Sequence, residues 1–297
     1  MQSKRLLRDR LASKFMLLLT ILPGLTVFLM VFGLYQRSRP ILAIKPLIEL
    51  IFSTSWHPLK GEFGLLPFIM GTLWVTVVAV AIAIPLCLLT ATYLSEYVHK
   101  KVREWTGPLI DLLAGIPSVV YGVWGVLVIV PLIKNLIAPF FGTFSTGYSV
   151  LAGGVVLAIM VFPIIIHVSV EVFGSVPYEV REASWALGAT KWQTMKHVVI
   201  RKAMPGVIAA IVLGLSRAFG ETMAVLMVVG NVVRVPSSVF DAAYPLPALI
   251  ANNYGEMLSV PLYDSALLLT SLVLLLVVLF FDIVARLVLV RVGRSIQ

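Results

Sequence analysis

Two ionisable residues stand four positions apart in an otherwise apolar stretch, LGLSRAFGETMAVLMVVGN: Arg217 and Glu221, flanked by Ser216 and Thr222. A guanidinium offers a planar fork of donors that matches the oxygens of a phosphate-like anion better than a lysine ammonium does. If the stretch is one helix, the i,i+4 spacing places both charges on one face, where they partly neutralise each other. Two readings follow. Either the pair locks helix packing, or Arg217 receives an anion on a translocation path. In the second case Glu221 has to swing away or accept a proton from the anion, and the sequence leaves both open. Burying an Arg at a bilayer centre costs roughly 2.5–3.5 kcal/mol on an insertion scale, so Arg217 must face protein or water.

Other chemistries lack their residues. No G-x-x-x-x-G-K-[ST] occurs, so the chain has no P-loop to cradle ATP. H-E-x-x-H and G-x-S-x-G are also missing, which argues against a protease or hydrolase. The single cysteine, Cys87, lies in an apolar run and can form neither an internal disulfide nor a Cys-based metal site. His57, His99, His167 and His197 are scattered without ligand spacing. The reading assigns no catalytic residue, no metal and no cofactor to this chain.

The elements that must position these residues are membrane helices. Of the 297 residues 60% are hydrophobic and 12% charged, and the mean hydropathy is +1.01. A soluble domain sits near one half apolar and one quarter charged. Apolar runs long enough to cross about 30 Å of hydrocarbon predict six spans, at 13–35, 68–93, 109–133, 150–166, 205–229 and 263–288. The first run follows five basic residues as a signal peptide would, but it is too long for a signal core and no cleavage pattern follows, so it reads as an anchor. The expected organisation is a terminal segment, 1–12, ahead of a transmembrane domain, 13–297.

Orientation follows from the basic residues. Sixteen of the 23 Lys and Arg lie in the N-terminus, the second connection (Lys100, Lys101, Arg103), the fourth connection and the C-terminus; six lie on the other side, and Arg217 completes the set. Both termini are therefore expected in the cytoplasm. The formal net charge of +9 is then mostly topological, facing anionic lipid rather than nucleic acid. Tyr93, Tyr97 and Trp105 at one face and Tyr148 and Tyr263 at the other suit interfacial belts. The apolar stretch 41–52 is too short to span and is expected in the interface or packed on the spans. Pro85, Pro117, Pro131 and Pro163 are expected to kink or end helices.

The fourth connection, 174–203, reads GSVPYEVREASWALGATKWQTMKHVVIRKA. Ser175 and Pro177 are expected to open a helix whose early Glu179 and Glu182 suit its positive end, and Gly188 to supply a left-handed stop. Thr190 and Gln193 form a T-x-x-Q capping box for a second helix. A compact amphipathic pair of this kind suits a groove on a soluble partner; a solvated linker is the alternative.

Glu182-Ala183-Ser184, then Gly188, then Val198 and Ile200 resemble the EAA loop of permease subunits in binding-protein-dependent ABC importers. Ser184 stands in place of the second alanine and Arg201 in place of the usual proline. The stretch from Ser216 to Val225 with Gly230 and Asn231, LPFIMGTLWVT from Leu66, ATYLSEY from Ala91 and LAGIPSVVYG from Leu113 resemble the phosphate-specific importer permease of the PstC type. The sister permease of such systems usually reads G-E-T-A-P where this chain has Gly220 to Val225. The resemblance implies an all-α integral membrane fold with six transmembrane helices and a cytoplasmic two-helix coupling loop, the type I ABC importer permease. It also implies phosphate passage at Arg217 and Glu221, with Ser216 and Thr222 beside them, and ATPase coupling through Glu182, Ala183, Ser184 and Gly188. The implied partners are a sister permease, two ATPase subunits that hold ATP and Mg, a periplasmic phosphate-binding protein, and the lipid of a bacterial inner membrane. An ABC permease for sulfate or molybdate, or an ion-coupled secondary transporter, is the rival reading.

Overall fold

The computed structural model describes residues 2–256 and 259–296. Helices dominate, and six of them are long and apolar enough to cross a membrane: Leu11–Leu42, Leu66–Glu96, Ser118–Phe140, Val150–Gly174, Lys191–Gly220 and Tyr263–Val284. In chain order the helices are α1 (Gln2–Leu42), α2 (Leu47–Phe52), α3 (Leu66–Glu96), α4 (Lys100–Gly115), α5 (Ser118–Phe140), α6 (Val150–Gly174), α7 (Tyr178–Ala186), α8 (Lys191–Gly220), α9 (Met223–Val228), α10 (Leu246–Asn253) and α11 (Tyr263–Ile296). The two-residue strands β1 (Trp56–His57) and β2 (Glu62–Phe63) pair as an antiparallel hairpin between α2 and α3.

The centre of the bundle is the pairing of α3 with α6, joined by α8. Small residues allow the close approach, as membrane helix contacts require. A Cβ on Gly154 would clash with Val78 of α3, and one on Gly214 would come within 2.6 Å of Ile165. Ala79, Ala83, Cys87, Ala158 and Ala218 complete this buried seam. A second cluster at the hairpin end packs Phe63, Phe68, Tyr244 and Tyr263 around Trp56. Ile41 and Leu50 are both 1% exposed within it, so the stretch 41–52 packs on the spans.

Several boundaries differ from expectation, each for a local reason. The third span begins at Ser118, not 109. Pro117 holds Ile116 in an extended conformation (ψ 128°) and ends α4 at Gly115, so residues 109–115 are the last two turns of a separate helix and not the start of the span. Within α5 the π-helical segments Gly125–Ile129 and Ile133–Ile137 lie about one turn before Pro131 and Pro139, whose missing N–H groups break the regular ladder. The fifth span is not 205–229: α8 starts at Lys191 and stops at Gly220. Tyr263 is 1% exposed and its hydroxyl donates to Asn253 Oδ1 at 2.8 Å, so it belongs to the core and not to an interfacial belt.

The 174–203 connection is a hairpin of unequal arms. Helix α7 opens after Pro177, while Ser175 closes α6 by donating to Val172 O, so Ser175 ends one helix and does not start the next. Gly188 takes φ +84° at the turn. Both hydrogen bonds of the Thr190–Gln193 capping box are present, at 2.8 and 3.3 Å. The second arm is the first part of α8 itself and runs unbroken into the fifth span through a π segment, Met195–Val199.

Candidate functional site

The helix of the fifth span ends where the chemistry was expected. Helix α8 ends at Gly220, Glu221 is extended (φ −75°, ψ 122°), and the short α9 restarts at Met223. The chain leaves the helical path at Glu221, and no ion pair joins Arg217 and Glu221 among the described residues. Glu221 turns to the new helix instead: its Oε1 accepts from Ala224 N at 3.1 Å, a carboxylate at a positive helix end. Thr222 donates to Gly220 O at 3.4 Å. Irregular backbone within a membrane span is tolerated only against protein or a water-filled path.

Arg217 is half-buried in the last turn of α8, where the helix dipole favours a cation. Its guanidinium has no hydrogen bond or salt bridge among the described residues. Ser216 is directed elsewhere, donating its hydroxyl to Asp282 Oδ1 of α11. Phe219 stacks on Phe281 beside that bond, with ring centroids 4.6 Å apart. Asp282 escaped the reading of the sequence, though an acidic residue inside an apolar run is a visible signal. On the other flank, Glu221 borders a small cavity of about 10 Å³ with Thr72 and Thr76 of α3 and Pro245, space for a single water. Thr72 also accepts from Leu246 N at 2.9 Å, tying α10 to this wall.

The four residues of the fourth connection divide by face. Glu182, Ala183 and Gly188 are exposed, whereas Ser184 turns inward to share a 2.9 Å hydrogen bond with Thr194 and close the hairpin. Leu187, 90% exposed, and Tyr178, 60% exposed, extend the outward face. The spacing of these large apolar residues beside Glu182 was legible but unused. The inward face carries Arg181, whose Nη2 lies 3.0 Å from Glu96 Oε1 at the end of α3.

Comparison with known proteins fits this geometry. The family model for the binding-protein-dependent transport system inner membrane component matches residues 83–294. The phosphate transport system permease protein PstC of Xylella fastidiosa is 39% identical over 262 residues, covering 84% of this chain and 80% of that protein. A probable ABC transporter permease, YqgH, of Bacillus subtilis is 39% identical over 265 residues, covering 89% and 83%. The probable phosphate transport system permease protein PstC of Methanocaldococcus jannaschii is 31% identical over 299 residues, covering 96% and 95%. Among solved structures, an inward-facing form of the MetNI methionine ABC transporter superposes with a TM-score of 0.59 at 19% identity, covering 77% of this chain and 95% of the matched one. That likeness shows the fold, the type I importer permease. Six candidate spans and these matches together make the chain a multi-pass membrane protein that belongs to the family of binding-protein-dependent transport inner membrane components, PstC type.

Proposed function

We propose that this chain is one permease subunit of an ATP-driven phosphate importer, forming half of the translocation path and coupling to a separate ATPase. The observation that carries the reading is Arg217, half-buried and without a partner among the described residues in the last turn of a membrane-span helix, with a carboxylate, Glu221, just beyond it. An unpaired guanidinium in a low-dielectric setting is costly by itself and attracts an anion strongly. The expected mutual neutralisation would have weakened that attraction, and the separated geometry removes the difficulty. The names of the relatives point to phosphate rather than sulfate or molybdate.

In this reading a sister permease supplies the other half of the path, a phosphate-binding protein delivers substrate on the outer side, and two ATPase subunits hold ATP and Mg. Both termini and the 174–203 hairpin face the cytoplasm, in accord with the basic residues. Glu182, Ala183, Leu187 and Gly188 present the surface that seats in the ATPase, and Ser184 holds the hairpin closed behind them. Ser216 and Thr222 support the break from either side of Arg217 and Glu221.

The test is phosphate uptake by the reconstituted complex carrying Arg217→Gln. Uptake should fall to background while the subunits still co-purify. Normal uptake refutes a role for Arg217 in the path.

A further inference from the structure

The hairpin is joined to the bundle by more than its own backbone. Arg181, on the inward face of α7, points its Nη2 at two acceptors: Phe173 O at the end of α6, at 2.6 Å, and Glu96 Oε1 at the end of α3, at 3.0 Å. The two charged side chains are only 11% and 12% exposed. One guanidinium thus fastens α7 to the ends of two spans that precede it in the chain. Its Nε is enclosed and has no partner among the described residues, so this arrangement leaves bonding capacity that a shifted α7 could satisfy.

The far end of α3 is at the candidate site. Helix α3 is one unbroken helix of 31 residues, and Thr72 and Thr76 of its other half line the cavity beside Glu221. From Thr76 to Glu96 is roughly 30 Å of helix at 1.5 Å per residue. Buried ion pairs add little net stability because desolvation offsets their attraction. What such a pair does supply is a fixed geometry between the elements that it joins.

We propose that the Arg181–Glu96 pair is a latch that carries movement of α7 directly into the second span and along it to the wall of the Glu221 cavity. Arg181 and Glu96 are positioning residues for the transport step. They give the hairpin a route to the site that is separate from its continuity with the fifth span. The inference rests on the reading of α7 as the element that docks on the ATPase.

The experiment uses the full complex in proteoliposomes with its ATPase and phosphate-binding protein, carrying Glu96→Gln, Arg181→Gln, both together, or Arg181→Lys. The quantity measured is ATP hydrolysed per phosphate taken up. Each Gln variant should raise that ratio roughly tenfold, the loss expected for one charge-assisted contact, and the double variant should be no worse than either single one. Arg181→Lys, which keeps charge and donors, should recover most of the coupling. A ratio that stays at the wild-type value in the Gln variants overturns the latch, as does an additive double variant. Should a Gln variant fail to assemble, Arg181→Lys decides, since a wild-type ratio there supports the latch and a tenfold rise overturns it. If the wild-type complex moves a different oxyanion, only the phosphate reading falls, and the ratio is read for that anion.

Discussion

Asp282 accepts the Ser216 hydroxyl, and that bond, beside the Phe219–Phe281 stack, ties the fifth span to the sixth near Arg217. Polar bonds between membrane helices are worth roughly 1 kcal/mol. Asp282→Ala should therefore lower the thermal unfolding midpoint of the detergent-solubilised complex by a few degrees, while Asp282→Asn, which keeps an acceptor, should hold it. Equal midpoints for the two variants would show that the bond is not used. At this scale the sequence was a good guide to residue identity and a poor one to pairing. Arg217 and Glu221 were legible as unusual charges, but their i,i+4 spacing implied mutual pairing, and Glu221 turns its carboxylate to Ala224 N instead. Gly220, followed by an extended Glu221, ends the helix. Long-range pairs such as Arg181–Glu96 and Ser216–Asp282 leave no local trace, because no periodicity links residues so far apart.

Elements were legible wherever their punctuation is local. The capping box at Thr190, the stop at Gly188 and the six apolar runs depend on neighbours a few residues away. Boundaries at 116 and 220 were missed because apolarity persists across them, and only backbone geometry at Ile116 and Glu221 marks the change. Gly188 is the sharpest case for a test. Its φ of +84° costs a residue with a side chain roughly 1–2 kcal/mol, and Gly188→Leu also adds bulk to the exposed face. Co-purification with the ATPase should be lost while membrane insertion persists, and unchanged co-purification would sink the docking role. Glu182→Lys, reversing a charge on the same face, should act alike. The connection before α10 has its own local device. Burial pushes the Asp241 carboxyl up, but hydrogen bonds from Ser237 and Ser238 and the Arg234 guanidinium outweigh it and leave the pKa below the usual carboxylate value. A depressed carboxylate contributes stability that is present above its unfolded pKa and lost as pH falls through its folded one. Limited proteolysis of residues 231–245 should therefore accelerate on acidification below the ordinary carboxylate range, and Asp241→Asn should show the acid rate already at neutral pH.

For the whole molecule, the first span is the outlier. None of the most apolar stretch of Leu11–Leu42 is buried against the rest of the chain, whereas 67% of the corresponding stretch in the fourth span is. The core is built from α3, α6 and α8, and the surface they leave is apolar, as lipid or a second permease would require. An importer of this kind should move phosphate only with ATP and a binding protein present. Transport that survives the removal of either would favour an ion-coupled carrier instead.

The close contact of Gly154 with Val78 divides the second span unequally. Eighteen residues, roughly 27 Å, separate Val78 from Glu96, and six, roughly 9 Å, separate it from Thr72. Were α3 to tilt about that contact, its two arms would stand in a ratio of about three. A swing of several ångströms at the hairpin end would become one of about an ångström beside Glu221. Even that small displacement would be large beside a cavity of only about 10 Å³.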